Sequence, residues 1–418
     1  MAPPLSRGSC READLDTDEL HRIVPELTSW LEPGPDADRP HPWCAGAVVV
    51  AGRGRTVALH EAVGWAVRYA AYDEHADRGV ELPREQWVPA RPDTVFDLAS
   101  VTKLFTAVVA VQQIARGTLR LDAPVASYAP ELTAAAAHGI TLRHLLTHTS
   151  GLRPELPLYD EPDAAARAAR LAAELPLAPP GSGRTYSDLN LLLLQTVLER
   201  ATGRTVDRLI ADHVTMPLGM ADTRYNPPAS WLPRIAATED QRRPWGKLDR
   251  GMVHGTVHDE NAYAMGGVAG HAGLFSTGWD LALFCRAILD AAAGTSDTLL
   301  SAAGVRLLLG GDAEGDGSDG EGGADGDSSD RGGSDGGGSD GGRGAALGFE
   351  RDQPWFMGEL AGRGAIGHSG FTGTSLVLDP ATDSFLVLLT NSVHPVRSWR
   401  DGSRPRAEAA TRLARAVR

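Results

Sequence analysis

Apolar residues recur along this chain with two different spacings. From Ala45 to Val50 the run is almost continuous, Gly52-Arg53-Gly54 follows as a turn, and Thr56 to Tyr69 is a second strand-like stretch, so the region predicts a hairpin. Upstream, Asp16 to Leu31 has helical spacing interrupted by Pro25, which kinks or splits the helix because proline brings no N–H to the ladder. Downstream, Leu104, Phe105, Val108, Val109, Val111 and Ile114 fill the window Val101 to Arg116 densely enough for a buried helix. Gly117 is its expected stop, and Ser100 stands where an N-cap is expected. The charged, proline-containing segment Tyr72 to Asp93 reads as loop.

Helical spacing then dominates to about residue 303, most clearly over Leu189 to Ala201 and Leu281 to Ala292, the second opened by Thr277 and Asp280 with capping-box spacing. Strands return at Ala365 to His368, Phe371 to Leu378 and Phe385 to Thr390, with a turn at Asp379-Pro380-Ala381-Thr382-Asp383. Phe385 to Leu389 is apolar without alternation, which predicts a strand covered on both faces. Ser403 is expected to cap a last helix running to Arg418, with arginines near its C-terminal end where the dipole favours them. Strands at both ends with helices between predict an α+β fold, an α/β sandwich whose antiparallel sheet is formed from the N- and C-terminal segments. The expected division is an N-terminal extension over 1–40, a discontinuous α/β domain from 41–100 and 345–418, and a mainly helical domain over 101–309.

Composition adds one more segment. Residues 310–344 hold ten Asp/Glu against two Arg and sixteen of the chain's 48 glycines, and supply −8 of its net charge of −14. With no large apolar side chain to bury, this stretch is expected to be a disordered insertion. The rest carries an ordinary acidic balance with no basic face, which argues against nucleic acid as partner. No apolar run reaches 18 residues and the start lacks a secretory pattern, so no membrane span is expected. Cys10, Cys44 and Cys285 form no CxxC pair, and free thiols suit a reducing compartment, so the expected location is cytoplasmic.

Of the 40 basic residues only Lys103 and Lys247 are lysines. A lysine kept where arginine otherwise serves points to a task arginine cannot do, such as giving up a proton near neutral pH. Lys103 closes the tetrad Ser100-Val101-Thr102-Lys103 at the start of a predicted helix, and i to i+3 spacing puts hydroxyl and amine on one face. A neutral amine could take the serine proton, but keeping it neutral at pH 7 means a shift of about three pH units, roughly 4 kcal/mol. Two further elements stand in order: Tyr186-Ser187-Asp188 after a Gly/Ser/Pro-rich loop, and Gly367-His368-Ser369-Gly370 at a strand end.

These three elements resemble the S-x-x-K, Y-x-N and K-T-G motifs of the penicillin-recognising serine hydrolases, a family of class C β-lactamases, D,D-carboxypeptidases and esterase relatives. The stretches Phe96 to Ser100, His144 to Leu152, Gly266 to Ser276 and Gly367 to Thr374 are similar in phrasing, so the resemblance spans about Ala45 to Asn391. It implies a β-lactamase/transpeptidase-like fold and acyl transfer, with Ser100 as nucleophile and Lys103 and Tyr186 sharing the base role. It also implies an oxyanion hole from the backbone N–H groups of Ser100 and Phe371, and a substrate contacted by Asp188, His368, Ser369 and Gly370. Gly370 would let the backbone approach closely.

Two positions depart from the pattern. His368 replaces a fixed lysine cation, and Asp188 replaces an asparagine with a carboxylate that would raise Lys103. Both turn the expectation from β-lactams and peptidyl-D-alanine toward a small carboxylic ester or amide. A β-lactamase or D,D-carboxypeptidase, an acyltransferase and a non-catalytic sensor remain alternatives. No cofactor is implied. His144 and His148 have zinc-ligand spacing without a third ligand, and His254, His258, Asp259, Glu260 and His271 read as a loop bordering the cleft; no metal is expected at either.

Overall fold

The computed structural model describes residues 5–34, 39–310, 346–400 and 402–418, so nearly all of the acidic insertion lies outside the described residues. An eight-stranded sheet runs in the order Ser6–Arg7, Thr56–Val67, Gly46–Arg53, Ser384–Thr390, Ser375–Asp379, Ile366–Ser369, Glu350–Arg351, with Val88–Pro89 also paired to Thr56–Val67. Every pairing is antiparallel except that of Ser6–Arg7. The expected hairpin and the joining of the two chain ends are therefore present. The two-residue parallel strand was invisible in the pattern, being too short to show a period.

Strand Ser384–Thr390 lies at the centre, with Val387 opposite Val50. Its alternate residues feed two cores. Phe385, Val387 and Leu389 face Val48, Val50 and the apolar side of helix Gly278–Ala292, while Leu386 and Leu388 join Ala47, Val49 and helix Arg404–Ala416 through Ala409, Ala410 and Leu413. All seven strand residues are buried, which is the two-face cover that the unalternating run requires. Thr277 caps helix Gly278–Ala292 by accepting the Asp280 N–H, and Cys285 is buried within it.

Several local expectations are corrected. Residues 16–31 form two helices, Thr17–His21 and Ile23–Ser29, with Pro25 in the first turn of the second, where its missing N–H costs nothing. The segment 72–93 is not loop throughout: Tyr69–Asp73 pairs with Arg78–Glu81, and Val88–Pro89 adds an edge strand. Arginine stacked on aromatic rings holds this polar stretch, with Arg84 4.1 Å from the Trp87 ring and Trp65 edge-on to Trp87 at 5.1 Å. The strand expected from Phe371 begins at Ser375, because residues 370–373 make a turn in which Gly373 has φ of +113°. Ser403 holds the N-cap position of the last helix but its side chain makes no cap bond; its Oγ accepts from Arg406 Nη1 at 2.8 Å instead. Among the described residues no helix is long and apolar enough to cross a membrane.

Candidate active site

Helix Thr102–Ala115 is buried along its first twelve residues, and the 3₁₀ turn that leads into it meets the strand Ile366–Ser369, one in from the sheet edge. Ser100 is not its N-cap. A 3₁₀ turn over Ala99–Val101 precedes the helix, Val101 takes the cap position without a side-chain bond, and the Ser100 hydroxyl is left for other partners. Ala99 is held at φ of +45°, in the left-handed region. The buried Asp97 carboxylate accepts the Ala99 N–H at 2.9 Å and the His258 N–H at 2.6 Å, which pins this bend.

Lys103 Nζ donates to Ser100 Oγ at 2.7 Å and lies 2.8 Å from Asp188 Oδ1, with the His271 carbonyl at 3.4 Å. The side chain is fully buried. Burial opposes the charge, but Asp188 and then Tyr186 outweigh it and raise Lys103 above its ordinary value. Lys103 is thus an ammonium at neutral pH, and the resting site does not contain the neutral amine that the tetrad alone suggests. Tyr186 hydrogen-bonds with both Lys103 and Ser100; burial raises its phenol, and Lys103 pulls in the opposite direction without cancelling the rise.

Tyr186 is positioned by the residues of the 144–152 stretch. Thr185 N–H donates to His148 O at 2.9 Å, Ser187 N–H to His148 Nδ1 at 3.1 Å, and Gly181 N–H to Thr149 O at 2.7 Å. The His148 ring lies under Tyr186 with centroids 4.8 Å apart, and burial followed by the Arg184 and Lys103 charges keeps this imidazole neutral. His144 instead accepts the Thr141 N–H in a capping box, so the pair does not converge as zinc ligands. Asp188 opens helix Asp188–Thr202 as its first residue. The Gly266 to Ser276 stretch closes the rear: Gly270 O accepts from Thr106 Oγ1 at 2.8 Å, and a Cβ on Gly270 would come within 2.5 Å of Leu191 O.

The third motif forms the opposite wall. Thr372 Oγ1 donates to Asp97 O at 2.7 Å and Thr374 Oγ1 to Leu98 O at 2.9 Å, tying the turn to the segment just before Ser100. Gly370 sits in this junction, where a Cβ would meet Thr374 Oγ1 at 2.2 Å and Leu98 O at 2.4 Å. Its lack of a side chain therefore serves a backbone-to-backbone approach, in addition to any substrate. Gly370 N–H and Gly373 N–H close the turn on Thr374 O and Gly370 O, and the Phe371 N–H is neither of these donors. The His368 Nδ1 donates to Ser369 O at 2.7 Å. Burial, then Lys103, pushes His368 down to about 3, well below the ordinary value that its position in the sequence suggested.

The cleft between these walls is lined by Ser100, Tyr186, Asp188, His368, Ser369, Gly370 and Phe371, so every residue expected at the site except the buried Lys103 borders one space. Asp188, Asp259 and His271 bring ligand atoms within 4.8 Å of one another. Their positive partners are protein groups, Lys103 on Asp188 and His271 Nε2 on Asp259 at 3.0 Å. Within this pair burial opposes both charges, yet Asp259 raises His271 and His271 lowers Asp259. His254 lies apart, bonded to Ile235 O.

Several cleft residues escaped the sequence reading. Arg184 pairs with Glu350, Lys247 with Glu155 at 2.6 Å, and Arg397 with Glu260 at 2.5 Å and with the fully buried Glu239 at 2.7 Å. Phe371, 40% exposed, stacks on His258 with Arg400 4.7 Å from its ring. Arg184, Arg397 and Arg400 did not stand out among so many arginines; Lys247 carried a signal as one of two lysines, and Glu260 and Phe371 had already been placed beside the cleft.

A family model described as Beta-lactamase matches residues 37–411. A protein of Escherichia coli O157:H7, provisionally named D-alanyl-D-alanine carboxypeptidase, is 28% identical over 94% of this chain and 86% of its own length. An N-acetylmuramyl-L-alanine amidase of Bacillus subtilis is 27% identical over 84% of this chain and 77% of its own. The solved structure of EstCE1, a hydrolase with promiscuous acyltransferase activity, superposes with a TM-score of 0.62 at 19% identity, covering 95% of this chain and 98% of that one.

Proposed function

The chain belongs to the beta-lactamase family of serine hydrolases, and from that membership we propose that it is an esterase-like enzyme acting through an acyl-Ser100 intermediate on a small, uncharged carboxylic ester or amide. The observation that carries this reading is the hydrogen-bonded group Ser100, Lys103 and Tyr186 at the foot of an open cleft. Once the Lys103/Tyr186 pair has given one proton to solvent, attack by Ser100 Oγ on the carbonyl transfers the hydroxyl proton to that pair, which passes it to the leaving group and serves again when water attacks the acyl-enzyme. The Ser100 and Phe371 N–H groups receive the developing oxyanion.

Preference for an uncharged acyl group rests on His368. By the resemblance, a substrate carboxylate meets the lysine of the third motif, and here a buried imidazole held neutral to about pH 3 offers no charge from that position. A cytoplasmic location goes with this proposal, supported by three cysteines that are all free and buried. Hydrolysis of p-nitrophenyl acetate and butyrate, with Ser100→Ala alongside, tests the reading. A loss of about 10³-fold or more in kcat/KM is expected for the variant; equal rates in both proteins would remove Ser100 as nucleophile.

A further inference from the structure

We propose that Arg406 is a positioning residue of the oxyanion hole, its guanidinium fixing and polarising the peptide unit whose N–H is that of Phe371. This rests on the acyl-transfer reading above. Arg406 Nη2 donates to Gly370 O at 2.7 Å, in a buried contact between the closing helix and the third-motif turn. Gly370 C=O and Phe371 N–H belong to one planar peptide, so a donor held on the oxygen also sets the direction of the N–H at the other end. A cation on the carbonyl draws electron density from the amide and strengthens that N–H as a donor.

The setting favours this role over a solvated surface one. Arg406 is 1% exposed and stands in the first turn of helix Arg404–Ala416, at the end of the helix dipole that disfavours a cation. Its fork is aimed by Ser403 Oγ, which accepts from Nη1 at 2.8 Å, and by the Trp43 ring 5.6 Å from the guanidinium carbon. The following carbonyl, Phe371 O, is held by Arg400 Nη1 at 2.5 Å, so two arginines fix successive peptides of the turn. On the opposite side, the peptide that carries the Ser100 N–H has its carbonyl, Ala99 O, engaged by the Thr102 N–H of the helix start. Each oxyanion donor thus has its partner carbonyl bonded from behind, and on the Phe371 side the bond comes from a full charge. A glycine peptide is the one most in need of such a hold, having no Cβ to restrict its rotation.

Arg406→Lys and Arg406→Gln test the assignment, with three readouts: kcat and KM for a p-nitrophenyl ester, affinity for a boronic acid that becomes tetrahedral on Ser100, and the infrared carbonyl band of the acyl-enzyme. The expected result is a fall of about tenfold or more in kcat with KM nearly unchanged. Boronate affinity should fall by a similar factor, and the carbonyl band should move to higher frequency, with Lys retaining more activity than Gln. Should the Gln variant fail to fold, the Lys variant carries the test. A folded variant with unchanged kcat, or an unshifted carbonyl band, would overturn the role of Arg406 while leaving Ser100 acylation intact. Absence of any acyl-enzyme in the native protein would remove the proposal together with the function it rests on.

Discussion

At the residue scale, one of the two substitutions that separate this site from the family pattern is Asp188, 2.8 Å from Lys103 Nζ. The resemblance of the first two motifs to the family pattern implied a carboxylate near the lysine, and its consequence, a raised Lys103, followed from charge. Lys103 and Tyr186 both lie above their ordinary values, so the deprotonated pair that accepts the serine proton becomes more abundant as pH rises. The rate is therefore expected to climb through alkaline pH with no contribution from His368, which stays neutral near 6.5. Asp188→Asn removes a negative charge that favours the ammonium, so the alkaline rise should move to lower pH by about 1–3 units. A pH profile of kcat/KM for both proteins checks this; an unmoved profile, or one moved upward, would contradict it. His368 itself was less legible, because its neutrality comes from burial and from Lys103 and Arg184 on other segments.

At the element scale, the sequence located most helices and strands, and its errors fall where polar side chains work on something other than their own element. Ser100 looked like a cap and faces Lys103, and Ser403 looked like a cap and accepts from Arg406. The hairpin within 69–81 was hidden because stacked arginines and tyrosines, not an alternating apolar face, hold it; Tyr72 meets Trp245 edge-on at 5.2 Å. Residues 371–373 were read as strand although they belong to the turn 370–373, the junction that aligns the two walls of the cleft. Gly370→Ala tests that junction. The added Cβ meets a backbone oxygen that cannot rotate away, so a destabilisation of at least about 2 kcal/mol is expected together with loss of esterase activity. Urea unfolding measures the first, and a change under about 0.5 kcal/mol would show that the walls are not locked at this point.

At the scale of the whole molecule, the legible part was the closing of one sheet by the two ends of the chain, because long apolar runs mark its central strands. The illegible part was the set of buried charges and histidines that tie distant segments. His394 accepts the Arg68 and Tyr69 N–H groups on Nε2 and donates from Nδ1 to Thr238 O, an arrangement open only to the neutral ring. Burial pushes His394 and His368 down to about 3, and His148 well below its usual value. The unfolded chain takes up these protons near pH 6.5 and the folded one does not, so stability is expected to fall as pH drops from 6.5 toward 3. Each histidine contributes up to about 1.4 kcal/mol per pH unit. Urea midpoints between pH 7 and 4.5 measure the slope, which His394→Gln should flatten; an unchanged slope would show that His394 already binds its proton in the folded state. Covalent acyl transfer through Ser100 is read out by intact-mass and peptide mapping of the protein quenched during turnover of a p-nitrophenyl ester. The expected result is one acyl group per chain on the peptide containing Ser100, absent from Ser100→Ala; an adduct on any other residue, or turnover with no adduct at all, would contradict the account.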